Sequence, residues 1–113
     1  MTIEKDNLRL HHIVEATEHI SAFINEVSKE EFEADYEKQS AVIRQFEIIG
    51  EAAGKLTPEF VKKHPAIDWP KVVGMRPKMI HDYFDVDINI VWITATKDAP
   101  SLKEVIEKVI DNT

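Results

Sequence analysis

The chain has 113 residues, 43% of them hydrophobic and 31% charged, with a formal net charge of −7; this is the size of one domain around one core, too short for two. The charge argues against a protein that coats nucleic acid by bulk electrostatics, and the absence of cysteine excludes disulfides and thiolate metal sites and suits a reducing compartment. The N-terminal MTIEKDNLRLHHI lacks the apolar stretch of a signal peptide, and no run approaches the roughly 18 apolar residues of a membrane span. Residues 1–113 are therefore expected to form a single cytoplasmic domain without membrane contact.

Only three glycines are present and apolar residues recur at helical spacing, which predicts an all-α fold. Leu10, Ile13, Thr17, Ile20, Ile24 and Val27 place a first amphipathic helix over roughly residues 3–27. Ser28, with Glu31 three residues later, is a capping-box signature for the next helix. Phe32, Ala41, Val42, Phe46, Ile48, Ile49 and Ala52 carry helical structure to about Leu56, with a break near Asp35. Thr57-Pro58 reads as an N-cap followed by proline at the first helical position, opening a short helix that ends before Pro65. Asp68 to Pro70 repeats that start signal and predicts a helix from about Pro70 to Phe84. Asp85 or Asp87 can cap a further segment with Ile88, Val91, Trp92 and Ile93; Pro100 interrupts, and Leu102, Val105, Ile106, Val109 and Ile110 form the last helix. The expected architecture is an antiparallel bundle of about five helices with proline-punctuated connections.

Charge is unevenly placed. Residues 61–81 hold Lys62, Lys63, Lys71, Arg76 and Lys78 against Asp68 alone, a local balance of +4 that leaves −11 for the remainder. A basic segment on an acidic body suits one confined phosphate site better than a long nucleic-acid track. Within it, Gly74–Asp87 (GMRPKMIHDYFDVD) gathers Arg76, Lys78, His81 and Tyr83. Histidine can take or give a proton near neutral pH, as attack by a ribose 2′-hydroxyl and departure of the 5′ oxygen require. Arginine presents a fixed fork of donors to phosphate oxygens. Cleavage of RNA by this set needs neither a metal nor a cofactor.

Spacing alone does not join these residues. Arg76 and His81 are about 140° apart on an ideal helix, Tyr83 returns close to the azimuth of Arg76, and Pro77 kinks or unwinds the turn. A surface arginine and a hydrogen-bonded histidine on an amphipathic helix would give the same string. His11, Glu15 and His19 follow one another at four-residue intervals, but without further inward carboxylates they read as a solvated face. Trp69, Trp92, Phe46 and Phe60 read as core, and Gly50 and Gly54 as points of close helix contact; no phosphate-cradling loop pattern is present.

AVIRQFEIIGEAAGKL (41–56), HPAIDWPKVVGMRPKMIHDYFDVDINIVW (64–92) and DAPSLKEVI (98–106) together resemble the HepT-like branch of the HEPN superfamily, the toxin half of a toxin–antitoxin pair. The motif of that family is an arginine, four residues, a histidine, one residue and a tyrosine, which falls here on Arg76, His81 and Tyr83. The resemblance implies an all-α protein that dimerises, with the motifs of two protomers lining a shared cleft. It implies a metal-independent endoribonuclease with Arg76 and His81 catalytic; alongside them Tyr83 is read as a contact to the RNA and Lys78 as added electrostatic attraction for it. It implies a cognate minimal nucleotidyltransferase antitoxin that neutralises the toxin, in some members by transferring AMP to the motif tyrosine, here Tyr83. The position after the arginine, typically asparagine in the family, is Pro77. Proline cannot hydrogen-bond substrate or hold the catalytic pair, and this favours an alternative: a catalytically weakened helical module that binds a nucleotidyltransferase partner or a nucleotide.

Overall fold

In the computed structural model, which describes residues 2–75 and 87–111, the chain opens with α1 (Thr2–Ile24). Leu10, Ile13, Ala16, Thr17 and Ile20 recur every three or four residues and form its buried face. Thr17 is tolerated there because its hydroxyl donates to Val14 O at 2.6 Å. The helix stops earlier than the expected residue 27, because Glu26 adopts a left-handed φ of 59° that turns the chain. Lys38, reaching back from further along the chain, donates from Nζ to Phe23 O at 2.9 Å and so satisfies a carbonyl that the helix end leaves open.

The capping box expected at Ser28 opens α2 (Lys29–Ala34). Glu31 N–H donates to Ser28 Oγ at 3.1 Å and Ser28 N–H to Glu31 Oε1 at 2.9 Å. These bonds hold the Glu31 carboxyl below the usual carboxylate range, the backbone N–H of Ser28 contributing most. The break near Asp35 is present and has two functions. With φ −113° and ψ 92°, Asp35 leaves α2, and its Oδ1 accepts from Lys38 N–H at 3.0 Å to cap α3 (Tyr36–Gly54).

Helix α3 buries Gln39, Val42, Phe46, Ile49, Gly50, Ala52 and Ala53. It runs antiparallel to α1, as three links show: Lys38 to Phe23, Gln45 to His19 and Thr57, just past its end, to Asp6. Phe32 and Phe46 are fully buried, and truncating either to alanine would cost about 3–5 kcal/mol. Trp92 is half-buried with its ring 5.2 Å from that of Phe32. Gly54, expected to admit a close helix, is exposed, and a Cβ there would meet only Val73 Cγ1 at 4.0 Å, an ordinary contact.

Two short helices follow the expected start signals. Thr57 caps α4 (Pro58–Lys63) and Asp68 caps α5 (Trp69–Val73), each side chain accepting from the backbone N–H three residues on at 3.2 Å. Trp69 is buried and its indole N–H donates to His64 O at 3.0 Å; Phe60 packs against both His64 and Trp69. The helix expected from about Pro70 to Phe84 is interrupted near its start, since α5 ends at Val73 with Gly74 at its C-cap, ψ having relaxed to −11°; residues 76–84 of that expectation lie outside the described residues. Glycine is a poor helix former, and its N–H closes the turn onto Pro70 O at 2.9 Å.

Asp87 caps α6 (Ile88–Ile93), its Oδ1 accepting from Asn89 N–H at 2.9 Å. Pro100 does not separate two helices as expected. The chain passes from α6 through a π-helical turn, Thr94–Asp98, directly into α7 (Ala99–Asp111). A proline inside an α-helix lacks an N–H and clashes with the carbonyl four residues back. The wider π turn, closed by Ala99 N–H onto Thr94 O, relieves that clash while the rod continues. Helix α7 lays Leu102 and Ile106 into the core and packs on α1. The described residues are all-α, with no strand among them.

Candidate functional site

The residues expected to carry the chemistry, Arg76, Lys78, His81 and Tyr83, lie with Pro77 outside the described residues. Both flanks are described. On the N-terminal side Met75 is 6% exposed and joins Trp69 and Val72 in the core. On the C-terminal side Asp87 is fixed by its role as the N-cap of α6. The described flanks are thus Met75, in the core beneath α5, and Asp87, at the start of α6.

The three described lysines of the basic segment lie on α4 and α5. Lys62 and Lys63 occupy the last turn of α4, where cations oppose the negative helix end, and Lys71 lies on α5. All three are exposed, and none forms an ion pair with another described residue. The ion pairs among described residues are elsewhere, such as Lys103 to Glu18 at 3.6 Å and Arg44 to Glu47 at 3.1 Å. Positive charge on this side is therefore available to an incoming anion.

Between α5 and α7 lies a groove of about 200 Å³ whose lining includes Ile67, Lys71, Met75, Asp98, Ser101 and Val105. Its floor is apolar and its rim polar. It reaches Met75, the residue that precedes Arg76 in the chain. Sequence reasoning missed Asp98 and Ser101; the available signal was Pro100 between them, whose misfit with an α-helix marks the π turn that carries Asp98.

The remaining candidates take ordinary positions. His11, Glu15 and His19 are exposed, and His19 Nδ1 lies 3.2 Å from Gln45 Oε1. Among the described residues no group of three or more His, Cys, Asp or Glu side chains is arranged to hold a metal ion. Likewise, no helix among them is long and apolar enough to cross a membrane.

The described residues define an all-α helical protein, and comparison with known proteins gives the family. The sequence model described as "Ribonuclease HepT-like" matches residues 13–109. A Thermococcus cleftensis protein named "Probable ribonuclease HepT" is 45% identical over 100 residues, covering 88% of this chain and 91% of its own. "Putative RNase TTE0752" of Caldanaerobacter subterraneus subsp. tengcongensis is 37% identical over 101 residues, covering 89% and 90%. "Putative RNase MJ1216" of Methanocaldococcus jannaschii is 39% identical over 101 residues, covering 89% and 84%. No solved structure matches significantly. The chain belongs to the HepT-like ribonuclease family.

Proposed function

We propose that this chain is a metal-independent endoribonuclease in which Arg76 and His81 are catalytic. The observation that carries the reading is that the family match spans residues 13–109 and so includes the whole arginine–histidine–tyrosine segment. The relatives' ribonuclease names agree with it. In this mechanism the imidazole of His81 takes the proton of a ribose 2′-hydroxyl as that oxygen attacks phosphorus and returns a proton to the departing 5′ oxygen. Arg76 receives the charge that grows on the non-bridging oxygens, and its planar fork matches two of them at once. Lys78 and Tyr83 contact the flanking RNA.

In the same reading the chain is the toxin of a pair and works as a homodimer whose two motifs share a cleft. Its antitoxin is a minimal nucleotidyltransferase. Transfer of AMP from ATP would join the Tyr83 phenol oxygen to the α-phosphorus, break the bond to pyrophosphate and release the phenol proton. The product places a negative phosphate beside Arg76, where the RNA phosphate must bind.

Pro77 supports a second reading. With proline in place of the usual asparagine, one hydrogen-bonding side chain is missing beside Arg76, which suits a weakened or inactive module that binds the nucleotidyltransferase or a nucleotide. Incubation of purified wild type and His81→Ala with total RNA and tRNA in excess chelator separates the two. Cleavage by the wild type and none by a folded His81→Ala supports the nuclease. Equal cleavage by both removes His81 from the mechanism, and no cleavage by a folded wild type transfers support to the binding module.

A further inference from the structure

We infer that the groove between α5 and α7 is a nucleobase subsite that selects guanine in the RNA strand, an inference that rests on the ribonuclease reading. Its volume of about 200 Å³ falls below the roughly 300–1,000 Å³ of pockets that take drug-sized ligands. One flat base fits such a space and a larger cofactor does not. Ile67, Val72, Met75, Leu102 and Val105 give it apolar surfaces against which a base can pack. Their neighbours supply the polar handles.

Asp98 provides the selectivity. Its carboxylate lines the groove from the end of the π turn and makes no hydrogen bond or ion pair with another described residue. The other acid there, Asp68, already accepts from Lys71 N–H at 3.2 Å as the cap of α5. A carboxylate only accepts hydrogen bonds, so it favours a base edge with donors. The Watson–Crick edge of guanine offers two side by side, N1–H and the N2 amino group, which match the two carboxylate oxygens. Adenine, cytosine and uracil each offer a single donor group on that edge.

The position of the groove also suits a nucleotide. Lys71, exposed on its rim without an ion-pair partner among the described residues, can meet a backbone phosphate beside a base held by Asp98. The π turn sits between α6 and α7, and the hydroxyls of Thr94 and Thr96 bond back to Ile90 O at 2.7 Å and Trp92 O at 2.8 Å. Asp98 is thereby presented from a supported backbone rather than a loop.

The test is an amide-resolved NMR titration of the full-length protein with non-cleavable 2′-O-methyl trinucleotides that differ only in a central G, inosine, A, C or U. The expected result is binding of the G oligonucleotide at least tenfold tighter than A, C or U, with shifts at Lys71, Ser101 and Val105. Inosine, lacking the N2 amino group, should bind several-fold more weakly than G. Asp98→Asn, which keeps shape and removes the paired acceptors, should bring G and A within about twofold. Val105→Trp, at a position 40% exposed and so tolerant of bulk, should fill the groove and weaken every oligonucleotide at least tenfold. Unmoved groove amides, or a G preference unchanged in Asp98→Asn, would overturn the subsite. Because the readout is binding, it is independent of cleavage: guanine-selective shifts in a protein that cuts no RNA would sink the nuclease reading and keep the subsite.

Discussion

Asp6, near the start of α1, and Thr57, just past the end of α3, meet at one end of the α1–α3 pair through two hydrogen bonds: Thr57 N–H to Asp6 Oδ1 at 2.9 Å and Thr57 Oγ1–H to Oδ2 at 2.6 Å. Asp6 is 5% exposed, so both bonds are largely shielded from water. They tie the N-terminal turns of α1 to the cap of α4 and hence to the segment that leads into α5. Asp6→Ala would strand both donors of Thr57 and should destabilise the fold by about 2 kcal/mol, lowering the melting temperature on the order of 10 °C. Thermal unfolding followed by circular dichroism would read this, and an unchanged midpoint would show the tie to be redundant.

Gln39 is the polar residue at the centre of the α2–α3 junction. Its side-chain amide donates to Phe32 O at 2.9 Å and Glu33 O at 3.0 Å at the end of α2; the Phe32 carbonyl also accepts from Asp35 N–H at 3.2 Å, so Gln39 is its second donor. Gln39→Leu keeps the bulk but removes the side-chain donor, leaving Phe32 O with Asp35 N–H alone and Glu33 O without this bond, and should cost about 1–3 kcal/mol. Urea unfolding measures it; a variant as stable as wild type would mean that water reaches the carbonyls instead.

The capping box at Ser28 and Glu31 predicts a pH dependence. The Glu31 carboxyl is held below its ordinary range by hydrogen bonds from the backbone and side chain of Ser28. A lowered folded-state pKa means that the unfolded chain binds the proton more readily. The contribution is therefore present above the unfolded-state value and is lost as pH falls through the lowered one. Glu31→Gln should flatten the acid limb of the stability–pH curve relative to wild type by lowering stability slightly at neutral pH, where the carboxylate contributes, and not at the acid end, where it is already protonated. An identical acid limb in both proteins would remove Glu31 as its source.

Pro77 gives a gain-of-function test. If the missing side chain once made a single hydrogen bond in the transition state, Pro77→Asn should raise kcat/KM for RNA by about tenfold. Cleavage of one defined RNA by both proteins in chelator would measure the ratio. A fall in activity would show that this chain has come to depend on proline at that position.

Much of the fold was legible in local chemistry. Ser28, Thr57 and Asp68 cap the helices they were expected to open, Asp87 caps the next as one of its two candidates, and the break expected near Asp35 is itself a cap, because an N-cap is an interaction between a side chain and a backbone N–H two or three residues away. Phe46 and Trp69 are core for an equally local reason, their place on periodic apolar faces. The expectations that failed were those about how far a helix runs. Glu26 ends α1 early, Gly74 ends α5 where a long helix was expected, and Pro100 is absorbed into a π turn. In each case a local backbone feature set the boundary, and the apolar periodicity from which helix length was read does not register it.

By itself the sequence determined the all-α class, the helix starts, the family and the arginine–histidine–tyrosine string, since each depends on residue types at fixed short separations. The tertiary structure decided what separation along the chain cannot encode: that Asp6 meets Thr57, that Lys38 closes the end of α1, and that α5 and α7 enclose a groove reaching Met75. Those pairings arise where two amphipathic faces bury each other, and the energy of that burial depends on the shape of both surfaces rather than on either one's sequence pattern.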